Sequence, residues 1–262
     1  MEKKERQHPV QKRKWWFRFM KRLMKGRYPK PEFRFLDCDG FVEAGIMLSN
    51  HEGTDAPMSL ELYCDKPVRM WGAHEMNSGL IQMYKYQTRV YYHEKKHWNL
   101  HLARLFCLLA SPLTNLFYKG LNLISTYRDG RFLKTLRESI ATLKNGETVV
   151  IYPEISENGY LAQLEGFHKG FAMLGELCAR NGMDVPVQVT YFNKEEKVYI
   201  VDKPIKWSEL SASCATRQEV AEKLLARCNE IGRMTFTKKT GNENQSEAFC
   251  VEQEVAVSNE KI

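Results

Sequence analysis

Residues 121–200 constrain the chain most, because hydrophobic periodicity switches there between strand and helix several times. Residues 121–125 read as a short strand, and Asp129-Gly130 as a turn. Residues 131–144 carry Phe132, Leu136, Ile140 and Leu143 on one helical face and end at Asn145-Gly146. Residues 148–152 form a β-branched strand that stops at Pro153-Glu154. A polar loop leads to Gly166-Phe167-His168-Lys169-Gly170 and a helix running to about residue 179. Residues 185–192 and 198–200 are further strands, and residues 216–233 a last amphipathic helix. This strand–helix–strand order predicts an α/β fold: one domain with a mixed, partly parallel sheet flanked by helices.

Charge divides the chain. Residues 1–34 hold thirteen Lys/Arg against three Asp/Glu, a net of +10, which leaves −3 of the total +7 for the remainder. The basicity belongs to an arm, residues 1–34; a body follows over 35–235, and a polar tail expected to be disordered over 236–262. Residues 1–14 are expected to be disordered too. Within residues 14–25, Trp16, Phe19, Met20, Leu23 and Met24 recur at helical spacing, with Arg18, Lys21, Arg22 and Lys25 around them. Such a helix suits the interface of an anionic membrane; the plainer reading is an amphipathic helix packed on its own domain. Nucleic acid is not expected as a partner, since no recognised motif accompanies the charge.

No run of 18 or more apolar residues is present, so no membrane-spanning helix is expected, and no signal peptide either. Seven scattered cysteines without close pairs argue for free thiols in a reducing compartment and against a cysteine-based metal site. The expected location is cytoplasmic, peripheral on the inner face of the membrane.

Towards the N-terminus, residues 33–36 and 46–48 read as strands, 58–63 as a helix and 67–71 as a strand. The strand at 46–48 empties into Ser49-Asn50-His51-Glu52-Gly53-Thr54-Asp55. Ligands and catalysis collect past strand ends in α/β sheets. Histidine takes a proton near neutral pH, and a carboxylate can fix its tautomer. The plainer reading is a loop histidine beside a helix-capping Asp55.

Residues 75–118 are the least legible. His93-Glu94-Lys95-Lys96-His97 matches the H-E-x-x-H pattern of zinc hydrolases, and His101 would continue the face. Its charged neighbours suit a solvated helix better. Residues 100–117 look like a buried or substrate-lining helical hairpin bent at Pro112.

From about residue 45 to 205 the chain resembles the glycerophospholipid acyltransferase family, which includes the 1-acylglycerol-3-phosphate acyltransferases. The blocks occur in that family's order: a strand into Ser49-Asn50-His51; Gly120 before a strand and an arginine-bearing turn; Thr148-Val149-Val150-Ile151-Tyr152-Pro153-Glu154; Phe167-His168-Lys169-Gly170; and Val185-Pro186-Val187 opening a strand. The resemblance implies transfer of a fatty acyl group from an acyl-CoA or acyl carrier protein thioester to a hydroxyl of a lysophospholipid or related lipid acceptor. It implies no metal and no cofactor beyond that co-substrate. His51 would be the general base, Asp55 its orienting carboxylate, and Glu154 a neighbour of the acceptor; Arg128 and Lys169 would contact phosphate. Three departures are specific. Three residues, not four, separate His51 from Asp55; Thr126 stands at the family's arginine; and Ile155-Ser156-Glu157 replaces Gly-Thr-Arg. A site with fewer cations and an added anion implies an acceptor less charged than lysophosphatidic acid, or a lipid-binding member without catalysis.

Overall fold

The structure, a computed structural model, describes residues 14–155 and 161–234. The expected tail and most of the first 14 residues lie outside them. Eight strands form one sheet: β1 (Glu32–Phe35), β2 (Ile46–Ser49), β3 (Val68–Ala73), β4 (Ile124–Thr126), β5 (Thr148–Ile151), β6 (Pro186–Asn193), β7 (Val198–Val201) and β8 (Ile205–Lys206). The order is β1-β7-β6-β2-β5-β3-β4, with β8 also paired to β6. Five neighbours, β6, β2, β5, β3 and β4, are mutually parallel. The β6–β7 pair is antiparallel, and β1 runs parallel to β7. The sheet is therefore mixed and mostly parallel, flanked by helices in a single domain, as the alternating pattern predicts.

Alternation within each central strand sorts side chains between two buried faces. Ile46 and Leu48 of β2, with Val149 and Ile151 of β5, join one core. Helices α6 (Phe132–Lys144), α7 (Gly170–Arg180), α8 (Trp207–Ala212) and α9 (Arg217–Gly232) cover it. Met47 and Val150 join the other core. There α2 (Asp55–Tyr63) packs, together with Phe17 of α1 (Trp15–Met24) and Phe117 of α5 (Leu100–Leu121).

The illegible region is a helical excursion. Two short helices, α3 (His74–Asn77) and α4 (Leu80–Tyr86), run into a π-helical segment, Gln87–Lys95, and α5 returns to the sheet. One expectation is corrected here. Residues 100–117 are not a hairpin; α5 is one helix of 22 residues that continues through Pro112. By length and composition alone it is long and apolar enough to cross a membrane, and most of its leucines are exposed. Its packing side presents small or polar residues, Ala103, Cys107, Ser111 and Asn115, while leucines face outward.

α1 is docked, not free. Phe17 is fully buried, and Lys21, expected on the outer polar face, reaches Glu61 at 3.1 Å.

Candidate functional site

Because β2, β5, β6, β3 and β4 are parallel, their carboxyl ends share one edge. His51 follows β2, Glu154 follows β5, Lys194 follows β6, His74 follows β3 and Arg128 follows β4. In parallel α/β sheets this edge is where loops converge on a ligand.

The centre is the β2–β5 pair. The backbone N–H of His51 donates to Glu154 Oε2 at 3.0 Å, tying together residues 103 positions apart. The His51 ring lies edge-on to Tyr152, with centroids 5.0 Å apart. Burial pushes the Tyr152 phenol well above its ordinary pKa, so Tyr152 is a neutral wall beside the imidazole. Glu154 is itself buried. Its strand end is clamped: Ile155 N–H donates to Gly166 at 2.9 Å, and His168 N–H donates to Pro153 at 2.7 Å.

Asn50 sets the position of His51. Its side chain donates to the carbonyl of Phe192 at 3.0 Å and accepts from the Phe192 N–H at 2.7 Å, so it continues the β2–β6 ladder beyond the strand. The preceding Ser49 hydroxyl meets the Tyr199 hydroxyl at 2.7 Å. Both residues are buried, so the histidine leaves a fully satisfied strand end.

The turn after His51 is tight. Glu52 has φ 36° and Gly53 φ 65°, two consecutive left-handed residues that bring Asp55 to the first position of α2. The Asp55 carboxylate pairs with Lys194 at 3.0 Å, and Glu52 lies 3.9 Å from the same ammonium. That hydrogen bond raises the Lys194 pKa. Burial raises the Glu52 pKa, with Lys194 opposing and Asp55 adding to the shift. The sequence suggested Asp55 as partner to the imidazole; the structure supplies it with a cation from the neighbouring strand end.

Arg128 and Lys169 stand at the rim, both exposed. Arg128 follows β4, three strands from β2 and hence roughly 14 Å along the edge at the usual strand spacing. Its turn is braced by Arg131, which forks onto Asp129 at 3.0 and 2.7 Å and lies 4.5 Å over the Tyr127 ring. Those hydrogen bonds lower the Asp129 pKa to about 2. Lys169 immediately precedes α7, two residues past Phe167, the bridge partner of Glu154. Gly170 allows α7 to approach Phe132 of α6; a Cβ there would meet the ring at 3.1 Å.

The zinc pattern is not assembled. The helix holding His93 ends at Lys95, and His97 lies beyond it with φ 55°, so the two histidines do not share a helical face. The His93 Nδ1 contacts the carbonyl of Trp98 at 2.9 Å. Among the described residues, no three His, Cys, Asp or Glu side chains are grouped to hold a metal ion.

At this strand-end cluster the structure ties Glu154 to the backbone of His51 and pairs Asp55 with Lys194, while Arg128 and Lys169 stand exposed outside these contacts. Lys194, Asn50 and Tyr152 belong to this cluster without a sequence-assigned role. Lys194 has one recognisable signal, its place just after the strand 185–192. No family model matches the chain, and no curated protein matches it.

Proposed function

We propose that this protein is an acyltransferase that moves a fatty acyl group from an acyl-CoA or acyl carrier protein thioester to a hydroxyl of a lysophospholipid or related acceptor. The observation that carries the reading is the 3.0 Å hydrogen bond from His51 N–H to Glu154, because it joins two sequence blocks of the acyltransferase pattern across adjacent strands. In this reading the acceptor hydroxyl gives its proton to His51 as its oxygen attacks the thioester carbonyl. The carbon–sulfur bond then breaks, and the departing thiolate takes up the proton. Backbone N–H groups at the strand ends stabilise the oxyanion. The carboxylates of Glu52, Asp55 and Glu154 favour an acceptor of low negative charge. Arg128 and Lys169 suit phosphates at the rim, remote from the reacting hydroxyl. The basic aromatic helix brings the site to an anionic membrane, on its cytoplasmic face.

The test uses labelled acyl-CoA and acyl carrier protein thioesters with a panel of lyso-lipids and other hydroxyl acceptors. His51→Ala is expected to lower turnover by about 10²–10⁴-fold, the usual contribution of a general base. A wild type no faster than His51→Ala on every pair overturns the reading. The Asp55–Lys194 ion pair favours a second reading, a lipid-binding protein of the same fold without catalysis. That reading expects acyl-chain binding unchanged in His51→Ala and no turnover by either protein.

A further inference from the structure

α5 is built inside out for a helix in water. Its packing stripe at four-residue spacing is Ala103, Cys107, Ser111 and Asn115, and Ser111 bonds Gln87 of the π-helical segment at 3.1 Å. Its outward stripe is Leu102, Leu105, Leu109, Leu113 and Leu116, with Leu109 77% exposed. A water-facing helix has the opposite pattern, so the outward side calls for an apolar solvent or a partner. The adjoining α1 repeats this on a smaller scale. Trp15, Phe19 and Leu23 are exposed at four-residue spacing, with Trp15 75% exposed, next to exposed Arg18 and Arg22.

Charge identifies the occupant. Apart from Lys21, which is paired with Glu61, α1 and α5 carry the cations Arg18, Arg22, Arg104 and Lys119, and neither helix contains an Asp or Glu. A second copy docked face to face would bring cations against cations, whereas an anionic headgroup layer over an acyl layer matches both parts. Aromatics gather at the far end of the excursion, where Trp98 lies 4.8 Å from Tyr92 and 5.5 Å from Phe106. Such rings favour the headgroup level. Spanning is disfavoured because α4 and the π-helical segment, which would cross beside α5, carry Lys85, Arg89 and Glu94.

We propose that the leucine face of α5, flanked by α1, is seated in one leaflet of an anionic bilayer, with α5 lying in the membrane plane and Arg18 and Arg22 of α1 on the headgroups. This extends the reading of α1 as a membrane-seeking helix and stands apart from acyl transfer.

The full-length protein, Leu109→Gln/Leu113→Gln and Arg18→Gln/Arg22→Gln are compared in sedimentation with phosphatidylcholine vesicles with and without phosphatidylglycerol. The leucines are exposed, so circular dichroism and melting temperature are expected to stay as in wild type. The leucine pair is expected to weaken binding at least about tenfold at any salt concentration. The arginine pair is expected to weaken it only with phosphatidylglycerol present and at low salt. Wild-type binding by the leucine pair overturns the α5 proposal; if the arginine pair still loses binding, α1 alone remains the anchor. A stable wild-type dimer that the leucine substitutions dissolve, with vesicle binding unchanged, also overturns it and assigns the face to a second copy.

Discussion

Burial pushes the Cys64 thiol up to about 12 and the Cys178 thiol up to about 11. A raised thiol pKa leaves the unreactive protonated form in place until the pH approaches that value. At pH 8 both thiols are almost entirely protonated. Iodoacetamide at pH 8 is therefore expected to spare both in the native protein and label both in denaturant, as peptide mapping by mass spectrometry reads out. Native labelling as fast as in denaturant would contradict this burial. Individual residues also show where sequence reading stops. His51 and Glu154 were legible because each closes a short apolar strand. Lys194 was not, because nothing local says that residue 194 ends beside residue 55. That neighbourhood depends on Ile46 pairing with Val187 and Ser49 with Thr190, a register set between segments about 140 residues apart.

Among the elements, α1 and α5 depend on one glycine. A Cβ on Gly120 would lie 2.0 Å from Phe17 Cδ2, so the ring of α1 sits directly on the backbone of α5. Gly120→Ala is expected to cost about 1–3 kcal/mol, since the ring must leave its site. Phe17→Ala removes the clash at the expense of a cavity, so the two substitutions together are expected to cost less than their sum. Thermal melts of the single and double variants check this, and additive costs would disprove the contact. The sequence placed Gly120 before a strand; its packing role at the end of α5 needed the neighbouring helix. The excursion from His74 to Leu121 resisted reading for a related reason. Hydrophobic periodicity gives a helix an apolar side, and assumes that side turns inward. In α5 the leucines turn outward and the small residues inward, so the pattern was present and its usual interpretation reversed. The π-helical segment further displaces side chains from the 3.6-residue spacing by which His93 and His97 would have faced together.

At the scale of the molecule, α9 closes the sheet over β6 and β7. Its start is capped: Thr216 accepts from Glu219 N–H at 3.2 Å, and Glu219 accepts from the N–H of Ala215, one residue before the cap, at 2.9 Å. Near its end, Arg227 forks onto buried Asp202, just past β7, at 2.6 and 2.7 Å. Asp202→Ala strands a guanidinium that still reaches Glu230 and water, so the cost is expected to be about 1–2 kcal/mol, less than for a fully enclosed pair. A fall of a few degrees in melting temperature checks it, and an unchanged melt would refute the pair's role in holding α9. The α/β class and the order of its central elements followed from sequence alone, because strand and helix periods are local and two-sided burial leaves short β-branched runs between turns. Tertiary structure alone decided that Asp55 pairs with Lys194, that Glu154 meets the backbone of His51, that His97 leaves its helix and that the leucines of α5 face outward. Each depends on which segment lies opposite, and that is settled by packing and strand register between distant parts of the chain.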